Sequence, residues 1–261
     1  MSLNREQMLA EMGITPQWVL RDDARAALEQ EETPAPIAEA AASVAVTAVA
    51  LPVVAGAGEA PVLRPTPAVD GLGWPELQQG IRECSACILC QQRKQAVPGV
   101  GDLKPDWLFI GEGPGAEEDV RGEPFVGQAG KLLDAMLASL GIARGEKVYI
   151  ANAVKCRPPG NRTPEAAEMA ACRPWLERQI TLLKPKVIVL LGKAAVHSVL
   201  GEDKSLAAMR GRRFEHAGIP VAVTYHPAYL LRNLPDKAKA WEDLLFARRL
   251  LREAGQSHMF E

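Results

Sequence analysis

A three-layer α/β/α sandwich with a central four-stranded parallel sheet is predicted by two features of this 261-residue sequence. Short, almost wholly apolar runs alternate with longer segments of helical character. That is the pattern of parallel strands covered on both faces by crossover helices. The chemically unusual residues also fall just after the apolar runs, and in such sheets ligands bind beyond the carboxyl ends of the strands.

The elements follow in order. A helix over about 74–93 contains the first cysteines, and a strand at Trp107–Ile110 runs into a glycine-rich, acidic stretch, GEGPGAEEDVRGEPFVGQAG. A helix at Lys131–Leu140 comes next, then a strand at Val148–Asn152 that leads into NAVKCRPPGNRTP and a helix from Pro164 to about Leu183. The third strand, Lys186–Leu191, leads through Gly192 to a short helix, Ala194–Leu200. The fourth, Val221–Thr224, leads through YHPAYLLR to a last helix, Lys237–Ala254. These elements make one domain over 71–255, with a tail at 256–261.

The chain before that domain is different. Residues 1–32 read as two short helices, the second opened by the cap-and-proline pair Thr15-Pro16. Its apolar patch at Trp18, Val19 and Leu20 fits either a helical cap on the main domain or a docking peptide for another protein. Residues 33–70 are rich in Ala, Pro and Val without periodicity, so a disordered linker is expected.

Charge divides the same way. Residues 1–71 hold 4 Lys/Arg and 10 Asp/Glu, leaving 26 of the 30 cations and 22 of the 32 anions to the remainder. A mildly basic domain behind an acidic tail suits a polyanionic partner. The opening MSLNREQMLAEMG lacks the apolar core of a secretory signal, and the Ala/Val run at 40–57 is broken by Pro52. Neither a leader nor a membrane span is expected. A reduced, cytoplasmic setting follows, in which the five cysteines are read as metal ligands rather than disulfides.

The glycine-rich stretch is not a phosphate loop: its spacing is G-E-G-P-G, no Gly-Lys-Ser/Thr follows, and its carboxylates repel phosphate. Acidic residues together with Phe125 suit a flat, uncharged ring and a developing positive charge. Asn152 offers one donor and one acceptor on a planar amide, matching an imide edge. His226, followed by proline at a strand end, is placed to donate to a ligand. Cys84 and Cys87 form C-x2-C, Cys156 follows the second strand, and Cys172 lies sixteen residues further. Four such thiolates can close a zinc site or hold an iron–sulfur cluster, and the spacing does not separate these. Cys90 extends the pattern and leaves one ligand open. Arg210, Arg212 and Arg213 (RGRR) and Arg232 are candidate phosphate contacts.

Taken together, GEGPGAEED, GEPFVGQAG, NAVKCRPPGNRTP, ACRPWL and HPAYLLR resemble the family 4, iron–sulfur-containing uracil-DNA glycosylases. The resemblance covers about Cys84 to Leu251. It implies the four-stranded fold, a structural [4Fe–4S] cluster on Cys84, Cys87, Cys156 and Cys172 with Cys90 spare, and hydrolysis of the uracil–deoxyribose bond in DNA. It implies that Glu112 positions water and stabilises the sugar cation. His226 and backbone N–H groups near Gly113 then stabilise uracil O2, Phe125 stacks, Asn152 reads O4 and N3–H, and Glu118 crowds the C5 side. Relatives without a cluster carry aspartate at the position of Gly113, so the carboxylate role moves to Glu112. A DNA-trapping relative uses a histidine beside the second motif, and residues 153–171 contain none. Leu230, Leu231 and Arg232, with RGRR, are the expected duplex-holding group. A monomer acting on uracil-containing DNA at the nucleoid is the resulting expectation. The alternatives are a uracil sensor that does not cut and a zinc-stapled scaffold that recruits a polymerase.

Overall fold

The computed structural model describes residues 68–257. The expected N-terminal helices, the Trp18 segment, nearly all of the linker and residues 258–261 lie outside the described residues.

Helix α1 spans Trp74–Glu83, followed by a 3-10 turn at Ile88–Gln91 and strand β1 at Val100–Gly101. Strand β2 (Trp107–Gly111) leads to α2 (Ala116–Arg121) and α3 (Gln128–Ser139). Strand β3 (Val148–Asn152) leads to α4 (Ala166–Leu183), and β4 (Val187–Leu191) to α5 (Lys193–Leu200) and the short α6 (Leu206–Met209). Strands β5 (Phe214–His216) and β6 (Ile219–Thr224), then α7 (Pro227–Leu230) and α8 (Asp236–Ser257), complete the domain.

The sheet order is β1-β3-β2-β4-β6-β5. Its centre is the expected four-stranded parallel array, β3-β2-β4-β6. Two short antiparallel strands close the edges, β1 against β3 and β5 against β6. They escape sequence reading because two or three residues carry no periodicity.

Residues of β2, β3 and β4 are buried on both faces, and alternation sorts them into two cores. Trp107, Phe109, Val148, Ile150, Val187 and Val189 pack with Leu133 and Leu137 of α3 and Leu244 and Leu250 of α8. Leu108, Ile110, Tyr149, Ile188 and Leu190 pack with Leu176, Ile180 and Leu183 of α4 and Val196 and Val199 of α5. Each such side chain contributes about 1.5–3 kcal/mol on burial. A third, smaller core joins Leu77 and Ile81 of α1 to Leu89, Val154, Met169, Trp175 and two of the cysteines. Among the described residues, no helix is long and apolar enough to cross a membrane.

Helix α1 is shorter than expected. It ends at Glu83, and Cys84 turns out of it with extended backbone. The Arg93 guanidinium donates to the carbonyls of Arg82 and Cys84 (2.7 and 2.9 Å), supplying partners that a continued helix would otherwise provide. Helix α3 starts three residues earlier than expected, after Gly127, whose carbonyl accepts from Lys131 N–H at 3.0 Å.

Phe109→Ala is expected to cost about 3–5 kcal/mol in urea unfolding, whereas Leu234→Ala, at a position 59% exposed, stays within about 0.5 kcal/mol. Equal effects from the two would place the core elsewhere.

Candidate active site

Three of the four central strands, β2, β3 and β6, each deliver one wall of a single cavity of about 460 Å³. Glu112, Gly113, Pro114 and Gly115 come from the end of β2, Asn152, Pro158, Arg162 and Thr163 from the β3 side, and His226, Tyr229 and Arg232 from the β6 side. Glu118, Phe125 and Ala129 enter from the glycine-rich stretch. The residues expected from the sequence at the strand ends therefore meet in one place.

The β2–β3 register sets the geometry. Gly111 stands opposite Asn152, and pairing continues beyond the strands: Ala153 N–H donates to Gly111 O and Val154 N–H to Glu112 O (2.9 and 3.1 Å). A β-carbon on Gly111 would lie 2.5 Å from Asn152 Oδ1 and 2.6 Å from Phe125 Cζ. Glycine at this position therefore lets the amide and the ring close in on the strand end.

Asn152 is 2% exposed and its Oδ1 has no hydrogen-bond partner. A buried, unsatisfied acceptor costs about 1–3 kcal/mol, a deficit that a ligand N–H in the cavity removes. The ring of Phe125 is buried and stacks on His226, centroids 5.4 Å apart at 29°. Its backbone is left-handed, φ 55°, which for a phenylalanine costs about 1–3 kcal/mol.

Glu118 is committed to the loop. Its carboxylate accepts backbone N–H bonds from Gly115, Val126 and Gly127 at 2.9–3.1 Å. It forms part of the cavity wall mainly by clasping the two ends of the stretch together.

Glu112 is half-buried and hydrogen-bonded by the Thr163 side chain. Burial raises its carboxyl above the usual range, and the Thr163 bond opposes this. Thr163 was not singled out from sequence, although it sits inside the NRTP motif. Its loop is stiffened by Arg162, which grips the buried Glu168 at 2.8 and 2.6 Å.

His226 caps α7, and its Nδ1 accepts from Ala228 N–H at 3.2 Å. The ring proton of the neutral imidazole therefore sits on Nε2. Burial pushes the imidazole down to about 4, with the Arg232 charge adding and Glu118 opposing. Gly192, with φ 92°, leaves room behind the ring: a β-carbon there would lie 3.1 Å from His226 Cβ.

Two expected duplex contacts are corrected. Arg210 is turned inward: it pairs with the buried Asp243 at 2.6 Å and lies over the Tyr225 ring at 4.9 Å. It supports the loop carrying His226. Leu230 is 1% exposed and lines an apolar groove with Leu132 and Met136 of α3, so it anchors α7 rather than protruding. Leu231 is exposed, as are Arg212 and Arg232, while Arg213 pairs with Glu253 at 3.3 Å on the surface. Leu234, nearby in sequence, is also exposed.

All five cysteines, none in a disulfide, line one small cavity with Trp175 and Lys155. Three accept N–H bonds: Cys156 from Arg93 (2.8 Å), Cys172 from Lys155 N–H (3.2 Å) and Cys84 from Trp175 Nε1 (3.2 Å). Donors aimed at sulfur favour thiolate over thiol. Burial nevertheless pushes Cys156 up to about 11 and Cys172 up to about 12, against the pull of Arg93 and Lys155 respectively. Among the described residues, no three His, Cys, Asp or Glu side chains are placed to hold a metal ion as they stand.

The fold and site define a class: a parallel sheet, covered on both faces, that presents a carboxylate, an amide, an aromatic ring and a neutral imidazole to one cavity. The sequence model described as the Uracil DNA glycosylase superfamily matches residues 98–245. A type-4 uracil-DNA glycosylase of Thermotoga maritima is 43% identical over 183 residues, covering 69% of this chain and 95% of that protein. One from Pyrobaculum aerophilum is 43% identical over 177 residues, covering 65% and 90%. A type-5 uracil-DNA glycosylase from that organism is 33% identical over 154 residues, covering 52% and 67%. The chain belongs to the uracil-DNA glycosylase superfamily.

Gly130→Ala tests the packing behind the cavity. A β-carbon there would lie 1.8 Å from Phe125 O, and a loss of about 3 kcal/mol in denaturant unfolding is expected. An unchanged midpoint would mean that α3 does not abut this carbonyl.

Proposed function

We propose that the protein removes uracil from DNA, hydrolysing the N-glycosidic bond to leave free uracil and an abasic site. The observation that carries this reading is the orphaned, buried Oδ1 of Asn152 beside the Phe125 ring. Uracil N3–H satisfies that oxygen while the amide N–H donates to O4. Cytosine sets its bare N3 against Oδ1, leaving two acceptors facing each other.

The target nucleotide leaves the stack and enters the cavity, its base lying on Phe125. As the C1′–N1 bond breaks, its electron pair passes to uracil and charge gathers on O2. His226 donates from Nε2 as a neutral imidazole, and backbone N–H groups near Gly113 add to this. Glu112, ionised and steadied by Thr163, faces the positive sugar. It orients the water whose oxygen bonds to C1′ and receives the proton released. Exposed Leu231 and Arg212 lie outside this chemistry and, with Arg232 at the cavity rim, suit contacts to the opened duplex. The work is done on chromosomal DNA in the cytoplasm.

Cys84, Cys87, Cys156 and Cys172 hold a [4Fe–4S] cluster in this reading. The shared cavity and the N–H donors on three of the sulfurs support it. The cluster supplies a structural cross-link and takes no part in the bond cleavage. Purified protein is expected to be brown with absorbance near 400 nm, retained in Cys90→Ala and lost in Cys172→Ala. Colourless protein containing zinc would overturn the cluster assignment.

An oligonucleotide bearing one uracil, incubated with the loaded protein and then treated with alkali, tests the reaction. Alkali-dependent cleavage is expected, reduced about 100-fold or more in both Glu112→Gln and His226→Ala. Binding without cleavage by the wild type would leave a uracil sensor instead.

The pH profile separates the two groups. Activity needs ionised Glu112, whose pKa is raised. It therefore falls as pH drops through a value above the ordinary carboxylate one, while His226 stays neutral until about pH 4. The acid limb should vanish in Glu112→Gln and persist in His226→Ala; its survival in Glu112→Gln would remove Glu112 from that role.

A further inference from the structure

Phe125 poses a mechanical problem. A flat ring must be held at one angle against a base, yet its own backbone is strained and the surrounding stretch is rich in glycine. Something other than the local backbone has to hold it.

The groups that do so can be named. On the amide side, Glu118 takes the N–H groups of Val126 and Gly127, the two residues after Phe125. On the carbonyl side, a single guanidinium takes both oxygens: Arg144 donates from Nη1 to Pro124 O at 2.7 Å and from Nη2 to Phe125 O at 2.8 Å. Arg144 is itself fixed, since Nε and Nη2 reach Asp134 Oδ1 at 3.1 and 2.9 Å from helix α3. The same helix presses Gly130 against the Phe125 carbonyl. Two consecutive carbonyls pointing at one cation is the arrangement expected if the left-handed turn is imposed rather than tolerated.

We propose that Arg144 is a positioning residue for base recognition, acting through Phe125. It is absent from the cavity lining, so it touches no bound base and is not catalytic. Its planar fork holds the peptide on which the stacking ring is mounted, and Asp134 holds the fork. The proposal rests on the reading that Phe125 stacks on uracil.

The test uses the loaded, full-length protein and inhibition by free uracil, which reports ring and amide contacts without chemistry, alongside kcat and KM on a uracil-containing oligonucleotide. Phe125→Leu is measured first. If it leaves uracil inhibition and kcat unchanged, the stacking role of Phe125 fails and the Arg144 proposal falls with it, independently of any Arg144 result. If it weakens uracil binding, Arg144→Gln is expected to weaken free uracil about tenfold, within the range of an aromatic stacking contact. Arg144→Lys should recover only part, because an ammonium cannot span two carbonyls and a carboxylate in one plane.

The deciding measurement is Arg144→Gln in the Phe125→Leu background, with folding followed by thermal melting. If Arg144 acts through the ring, its substitution changes uracil inhibition less than twofold there, however far the melting temperature moves. Equal loss in both backgrounds would make Arg144 a general stabiliser and overturn the proposal. So would uracil inhibition within twofold of wild type in Arg144→Gln alone.

Discussion

The parallel pairing of β2 with β3, carried two hydrogen bonds beyond the strand ends, is the constraint on which the site depends. Strand pairing normally ends where loops begin. Here Gly111 O and Glu112 O still accept from Ala153 and Val154, so the carboxylate loop and the amide loop share one register. A one-residue slip would exchange every core side chain between the two faces and would also separate Gly111 from Asn152. The two apolar cores that flank the strands therefore protect the site as well as the fold.

Within that frame, burial works in opposite directions on two acid–base groups. It raises the Glu112 carboxyl and lowers the His226 imidazole to about 4, pushing each group toward its uncharged form. In the proposed reaction a neutral imidazole is the better partner for uracil O2. It donates through Nε2 while adding no positive charge beside a sugar that is itself becoming cationic. Arg232 contributes to that neutrality from the rim, a role distinct from any contact it makes with DNA.

Most of this was legible in the sequence because it depends on residue type at strand ends. Glu112, Asn152 and His226 follow apolar runs, and the runs fix their place. What was not legible depends on direction. Arg210 reads as part of a cationic run, but the carboxylate of Asp243 lies more than thirty residues away and turns it inward. Leu230 and Leu231 are neighbours of the same kind, and only the turn of α7 decides that one is core and the other surface. Arg144 carried no signal, since the targets that bear on Phe125 are backbone carbonyls, which every residue has. The end of α1 was misplaced for a related reason: the helix stops where Arg93 supplies its final acceptors with partners.

The cysteine region shows why a cross-link suits this fold. Helix α1 and the turn after it contribute only a small third core, and much of the segment from Glu83 to Lys94 is partly exposed. Little apolar area holds it down, and a cluster drawing ligands from this segment, from the loop after β3 and from α4 would offset that shortage. The cross-link would also stiffen recognition. Lys155, buried next to Cys156, donates from Nζ to Asn152 O at 2.8 Å and to Gln179 Oε1 at 2.6 Å, while its own N–H reaches Cys172 Sγ. One side chain therefore joins the backbone of Asn152 to helix α4, and the peptide N–H of the same lysine reaches a cysteine sulfur. Fixing the sulfurs fixes Lys155, and fixing Lys155 holds Asn152 at the strand end where its unpaired oxygen faces the cavity.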